Sequence, residues 1–373
     1  MLNVHLIVGA RPNFMKAAPI LSEMRKRPEQ FSPTLIHTGQ HYDAAMSTQF
    51  FDELGLPQPD YNLGVGSGTH AEQTARIMLG YEPIATGMPP DWTIVVGDVN
   101  STIACALVAV KLGIRVAHVE AGLRSRDRTM PEEINRILTD SIADLLLTTE
   151  PTAEENLRNE GIDSRRIRFV GNVMIDSLLA NLRSAERSDI LSRCGLESRE
   201  FVAVTLHRPS NVDSPETLSR IIAAMREISR RVPVIFPVHP RTRETLRGIE
   251  TGDITLTEPL GYLDFLRLFS QSKLVLTDSG GLQEEGAALG VPVVVLRNVT
   301  ERPEGVEAGI LRLAGTDPER VYRMVSRLLA DEADRKRMAM AKNPYGDGKA
   351  AQRVAQGVAW RLGLAERPED WQP

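Results

Sequence analysis

The stretch "WTIVVGDVNSTIACALVAVKLGIRVAHVE" (residues 92–120) decides the fold. "WTIVVGD" (92–98) and "IRVAHVE" (114–120) are short apolar runs that each end on a carboxylate, with a helix-length segment between them. Apolar strands joined through helices form a parallel sheet with both faces covered. Outward from this unit, "NVHLIVGA" (3–10), "TLIHTG" (34–39), "DLLLTTE" (144–150) and "RRIRFVGN" (165–172) repeat the strand, and "RPNFMKAAPILSEMRK" reads as the helix after the first. The same alternation restarts at "EFVAVTLHR" (200–208) and continues through "VPVIFPVHP" (232–240), "KLVLTDSG" (273–280) and "VPVVVLRN" (291–298). Between them "PETLSRIIAAMREISRR" spaces its apolar residues at three and four, the mark of an amphipathic helix. The pattern predicts two α/β domains in tandem, with a boundary near 172–190. Near the end, "NPYGDGKAAQRVAQGVAWRLGL" gives a turn and then a helix carrying Trp360. That helix either completes the second domain or crosses back to the first.

With 373 residues, the chain is long enough for two ordinary domains, each with its own core. Its formal charge of −5 and the absence of a Lys/Arg run argue against a nucleic-acid partner. Two cysteines, Cys105 and Cys194, without a C-x-x-C spacing, argue against a disulfide framework or a zinc-thiolate site. No window reaches the ~20 apolar residues of a membrane span. The N-terminus has no basic leader. A cytoplasmic protein with no metal and no membrane partner is expected.

Ligands of open parallel sheets bind beyond the carboxyl ends of the strands, so the residues after each strand carry the functional reading. After the first come Arg11 and Lys16, near a helix start where anions bind. The sequence there is neither a dinucleotide fingerprint nor a P-loop. Asp98 and Glu120 each end a strand, and Glu132 opens a helix behind Pro131. Singly, each fits a helix cap or a complement to the helix dipole. Together, three carboxylates at one sheet mouth repel one another, which raises the pKa of at least one and suits it to acid–base work. In the second half His207 and His239 follow strands in equivalent positions, as acid, base or phosphate contacts. In "TDSGGLQEEG" (277–286), Ser279 is a helix cap. Gly280 and Gly281 let backbone N–H groups approach a pyrophosphate. Glu285 then suits a ribose diol, and Arg302 is placed to reach the phosphates. A nucleotide-diphosphate site facing a carboxylate cluster is the layout of a nucleotide-sugar enzyme.

The sequence resembles the non-hydrolysing UDP-N-acetylglucosamine 2-epimerases. The matching pieces are "GARP" with Lys16, "GD" (97–98), "HVEAGLR" (118–124), "PEEINR" (131–136), "IDSL" (175–178), "TLHR" (205–208), "LTDSGGLQEE" (276–285), "TERPEG" (300–305) and "NPYGDGKAAQR" (343–353), over nearly the whole chain. The resemblance implies two Rossmann-like domains of the GT-B-like architecture, with the active site in the interdomain cleft. Residues 1–172 plus 347–373 would form the first domain, with the C-terminal helix returning to it, and 173–346 the UDP-binding second. It implies a homodimer and no cofactor. It also implies interconversion of UDP-N-acetylglucosamine and UDP-N-acetylmannosamine, which serves polysaccharide biosynthesis. Asp98, Glu120, Glu132 and His207 would be the acid–base set. Arg11, Lys16, Arg136, His239 and Arg302 would assist substrate or phosphate binding, Ser279 and Gly280 would hold the pyrophosphate, and Glu285 the ribose. Asn13 stands where many members have Glu, and "HRPSN" (207–211) differs from their pattern. Gln40 and His41 fall in a region that some members use in activation by their own substrate. A 2-epimerase of a UDP-diacetamido uronic acid, or a glycosyltransferase of the same fold, is the alternative reading.

Overall fold

The strands are buried because they are nearly continuous in Val, Ile and Leu: every residue of Trp92–Val96 and of Leu274–Thr277 is shielded from solvent. The computed structural model describes residues 1–39, 58–300 and 302–372, apart from the side chains of Arg11 and Pro12. It divides into two units, Met1–Ala180 with Gly346–Gln372, and Asn181–Tyr345.

In the first unit the strands are β1 (Leu2–Val8), β2 (Phe31–His37), β3 (Tyr61–Asn62), β4 (Trp92–Val96), β5 (Arg115–Ala121), β6 (Leu145–Thr148) and β7 (Ile167–Phe169). They pair in parallel in the order β3-β2-β1-β4-β5-β6-β7. The second unit has β8 (Val202–Thr205), β9 (Val234–Pro237), β10 (Ile254–Thr257), β11 (Leu274–Thr277), β12 (Val293–Val295) and β13 (Leu311–Leu313), parallel in the order β10-β9-β8-β11-β12-β13. Both orders are Rossmann-like. Each reverses direction at one point, between β1 and β4 and between β8 and β11, and ligands of such sheets settle outside the strand ends there.

Three strands have no counterpart in the sequence reading: β3, β10 and β13. All are sheet edges, and apart from the buried Ile254 and Leu311 their residues are partly or wholly exposed, so they lack the continuous apolar run that marks the inner strands.

The last helix, Ala350–Trp360, belongs to the first unit and packs on the helix Arg11–Arg25. Its own N-cap position, Lys349, makes no side-chain bond. Asp176 supplies the missing acceptor, taking hydrogen bonds from Ala350 N at 3.2 Å and Ala351 N at 2.8 Å. The Arg168 guanidinium lies 4.3 Å above the Trp360 ring, and Trp371 N donates to Phe169 O at 2.7 Å. Among the described residues, no helix is long and apolar enough to cross a membrane.

Candidate functional site

Each unit carries a cluster at its switch point. In the first, Asn13 ties the two strand ends together. Its side-chain oxygen accepts from Ala10 N at 3.0 Å and its amide donates to Val96 O at 2.9 Å. Gly97 follows with φ 69°. A Cβ there would stand 3.3 Å from both Asn13 Nδ2 and Glu120 Oε2 and 3.5 Å from Lys16 Nζ. Both the left-handed backbone and the crowding therefore call for glycine.

Glu120 has φ 71°, unusual for a residue with a side chain, and the β5–β6 register shifts between Val119 and Ala121. Such a bulge re-aims a side chain; here the carboxylate meets Lys16 Nζ in an ion pair that is 13% and 15% exposed on its two sides. Asp98 is not a helix cap. The helix Asn100–Lys111 starts behind Val99 and has no side-chain cap bond. Asp98 instead accepts from Arg136 at 2.5 Å, and Arg136 also reaches Glu133 at 3.0 Å. Asn135, on the same turn, donates to Asp98 O at 2.9 Å.

Glu132 lines a pocket of about 320 Å³ with His70, Gln73, Asn100 and Asn135. Asn100 Nδ2 donates to Gln73 Oε1 at 2.8 Å and lies 3.1 Å from His70 Nδ1, so the wall is polar and fixed.

Beneath the strand ends lies a fully buried His118. Its Nδ1 is 2.7 Å from Asp140 and its Nε2 2.8 Å from Gly97 O. Asp140 also pairs with Arg124 at 2.8 Å and accepts from Gly122 N at 3.1 Å. Burial pushes Asp140 upward, but His118 and Arg124 outweigh it and hold the carboxyl below its usual range.

In the second unit Asp278, wholly buried, is the hub. It accepts from His207 N and Arg208 N, both at 3.1 Å, from Asn211 Nδ2 at 3.0 Å, and lies 2.9 Å from His207 Nδ1. The helix Gly280–Leu289 begins one residue later behind Ser279, whose side chain makes no cap bond. The expected Ser279 side-chain cap bond is thus absent among the described residues. At Gly281 a Cβ would meet no described atom within 4 Å, and its φ is not left-handed. Packing within the protein does not require that glycine; open space lies over it.

Gln283 donates to Ser279 O at 3.0 Å and accepts from Thr300 at 2.5 Å, which ties "DSGGLQEE" to "TERPEG". Arg302 pairs with the buried Glu284. Burial, with Glu284 next in line, pushes Glu285 up to about 8. A pocket of about 270 Å³ is lined by Thr205, His207, His239, Leu260, Phe265 and Ser279. His239 Nδ1 accepts from Arg241 N at 3.4 Å.

Lys16, Arg136 and Arg302, expected as substrate or phosphate contacts, are each ion-paired with a carboxylate. Of the three carboxylates, Asp98 and Glu120 each face a basic side chain, which offsets the repulsion between them. The Arg11 side chain, and Gln40 and His41, lie outside the described residues. Sequence reasoning missed Asp278, Asn13, Asn135, and the His70–Gln73–Asn100 wall. Asp278 stood inside the quoted glycine stretch, and "VHLIVGARPN" placed Asn13 at the third position of a helix, where a side chain can reach back to its start.

The model of a family described as UDP-N-acetylglucosamine 2-epimerase matches residues 22–359. The chain is 42% identical over 368 residues to a UDP-N-acetylglucosamine 2-epimerase of Methanocaldococcus jannaschii, covering 95% of this chain and 98% of that protein. It is 40% identical to a UDP-2,3-diacetamido-2,3-dideoxy-D-glucuronate 2-epimerase of Pseudomonas aeruginosa, covering 96% and 99%. A crystal structure of the Methanocaldococcus jannaschii UDP-GlcNAc 2-epimerase in complex with UDP-GlcNAc and UDP superposes with a TM-score of 0.80 at 41% identity, covering 96% of this chain and 100% of that one.

Proposed function

The chain belongs to the UDP-N-acetylglucosamine 2-epimerase family, and from that premise we propose that it interconverts UDP-N-acetylglucosamine and UDP-N-acetylmannosamine by eliminating and re-adding UDP. The proton on carbon 2 of the sugar is not acidic in the ground state. As the bond from carbon 1 to the diphosphate breaks, UDP takes the electron pair and positive charge develops beside carbon 2. A carboxylate then removes the proton and a double bond forms between carbons 1 and 2. Re-addition of the diphosphate oxygen to carbon 1, with a proton delivered to the opposite face of carbon 2, yields the epimer. This chemistry needs acid–base groups and a firm hold on the departing UDP.

The observation that carries the reading is the pair of strand-end carboxylates in the first unit, Asp98 and Glu120, each fixed by a cation, with Glu132 in the adjoining pocket. These are the acid–base groups of the proposal, with His207 beside them in role. A base held in place by a cation is oriented for proton abstraction. Lys16 and Arg136 orient the carboxylates, and Arg11 serves the substrate directly. In the second unit the helix start at Ser279 and Gly280 holds the pyrophosphate, with His239 in the pocket that Ser279 also lines, and Arg302 assists in binding the phosphates. Glu285 takes the ribose. The enzyme works without a cofactor, in the cytoplasm, where its two unpaired thiols are stable. It supplies polysaccharide biosynthesis and acts as a homodimer. An exposed apolar stripe on the helix Pro131–Ile142, formed by Ile134 and Leu138 beside Met130, supports the dimer.

Incubation with UDP-N-acetylglucosamine in deuterated water, followed by NMR, tests the proposal. UDP-N-acetylmannosamine carrying deuterium at carbon 2 is expected. Unlabelled epimer would rule out elimination. Turnover only of the diacetamido uronic acid nucleotide would move the enzyme to that substrate, and no reaction without an acceptor would favour a transferase.

A further inference from the structure

We propose that Asp278 is a positioning residue that fixes His207 as its Nδ1–H tautomer, leaving Nε2 as the nitrogen that acts on the ligand. The geometry dictates the tautomer. Asp278 receives three N–H donors: His207 N, Arg208 N and Asn211 Nδ2, at 3.0–3.1 Å. None of these can accept, so the carboxyl group serves them best as an ionised acceptor. Burial alone would push Asp278 upward, yet His207 and the backbone and amide donors hold it below the usual carboxylate range. An ionised carboxylate donates nothing, so the 2.9 Å contact with His207 Nδ1 requires the hydrogen on that nitrogen.

The arrangement is asymmetric in a useful way. Asp278 is wholly buried, while the His207 side chain is 56% exposed and lines the pocket shared with Ser279 and His239. The ring is therefore anchored at its inner nitrogen and presents the other outward. Asn211 binds a second point, donating to Leu296 O at 3.2 Å, so the carboxylate itself is braced. A fixed carboxylate behind an imidazole sets its tautomer and orientation, and stabilises the charge that appears when Nε2 takes a proton. The same Asp278 immediately precedes Ser279 and Gly280. It thus ties the histidine after β8 to the anion-binding turn after β11 through one buried group, at the switch point of the second sheet.

The chemical role of His207 rests on the epimerase reading; its tautomer does not. Two measurements keep the two apart. With ¹⁵N-labelled histidine, long-range ¹H–¹⁵N spectra of the wild-type protein at a pH where the ring is neutral read the tautomer directly, with His207→Asn assigning its signals. The Nδ1–H form is expected, and Asp278→Asn should release the ring to the Nε2–H form that free imidazole favours. An Nε2–H ring in the wild type overturns the proposal, whether or not the variant folds and whether or not the protein is an epimerase. In the epimerase assay, Asp278→Asn should lower kcat about 10- to 100-fold with KM within about threefold, and should cost nothing further in a His207→Asn background. Multiplicative losses in the double variant, or a fall in UDP binding alone, would mean that Asp278 acts only as a structural brace.

Discussion

At position 285 a carboxyl group keeps its proton to about 8, where an ordinary glutamate would release it near 4.5. Between those values the folded protein holds more protons than the unfolded chain, so this group makes stability fall as pH rises through the window, by up to about 1.4 kcal/mol per pH unit. Glu285→Gln removes that titration while keeping the shape. The variant's Tm, measured relative to wild type, should therefore climb steadily from pH 5 to pH 8 and level off above. A difference that stays constant with pH would mean that Glu285 is ionised in the folded state. Sequence reading assigned position 285 to a ribose from its place behind two glycines. It had no access to the burial, nor to the pairing of the adjacent Glu284 with Arg302. Asp278 and Glu120 teach the same lesson. A carboxylate's type and place are legible from the chain, whereas its partner, set by contacts far apart in sequence, is not.

Elements were more legible than residues. The inner strands and the amphipathic helices announced themselves because burial on both faces, or on one stripe, leaves a periodic apolar signal. The edges β3, β10 and β13 left none. From its own residues, where the final helix docks was also open; only the family resemblance implied a return to the first domain. The deciding contact is Asp176, a residue that lies within "IDSL" and satisfies the first N–H groups of a helix far along the chain. Asp176→Ala should leave those buried donors without an acceptor, at a cost of roughly 1–3 kcal/mol. The expected readouts are a fall of a few degrees in Tm and faster hydrogen exchange confined to residues 350–360. Asp176→Asn, which retains an acceptor, should lose less. Uniform loosening of both units instead would show that Asp176 matters to the whole chain rather than to this one helix.

For the whole molecule, two parallel sheets with a switch point each give the proposed function two sets of strand ends, one for the nucleotide diphosphate and one for the proton-transfer groups. The rhythm of strands and helices implied parallel sheets, but the strand order, and with it both switch points, needed the structure. What the fold does not use is an apolar stripe on the helix Pro131–Ile142. Ile134 is 43% and Leu138 48% exposed, one turn apart, with Met130 a further turn back and 37% exposed. The opposite side of this helix carries Glu133, Asn135 and Arg136 into the first unit's cluster, so the stripe lies directly behind the proposed acid–base groups. Apolar residues aligned in this way suit an association site, and a second copy of the chain is the partner proposed for it. Light scattering of the purified protein should give twice the chain's mass of 41.2 kDa. The double variant Ile134→Glu, Leu138→Glu should shift it to the monomer, because like charges would face each other across a two-fold interface. A wild-type monomer, or a variant that stays dimeric, would remove this face as the interface. If the monomeric variant also loses turnover with its fold intact, the dimer supports the helix that positions Arg136 and Glu132, and the stripe becomes part of the catalytic design.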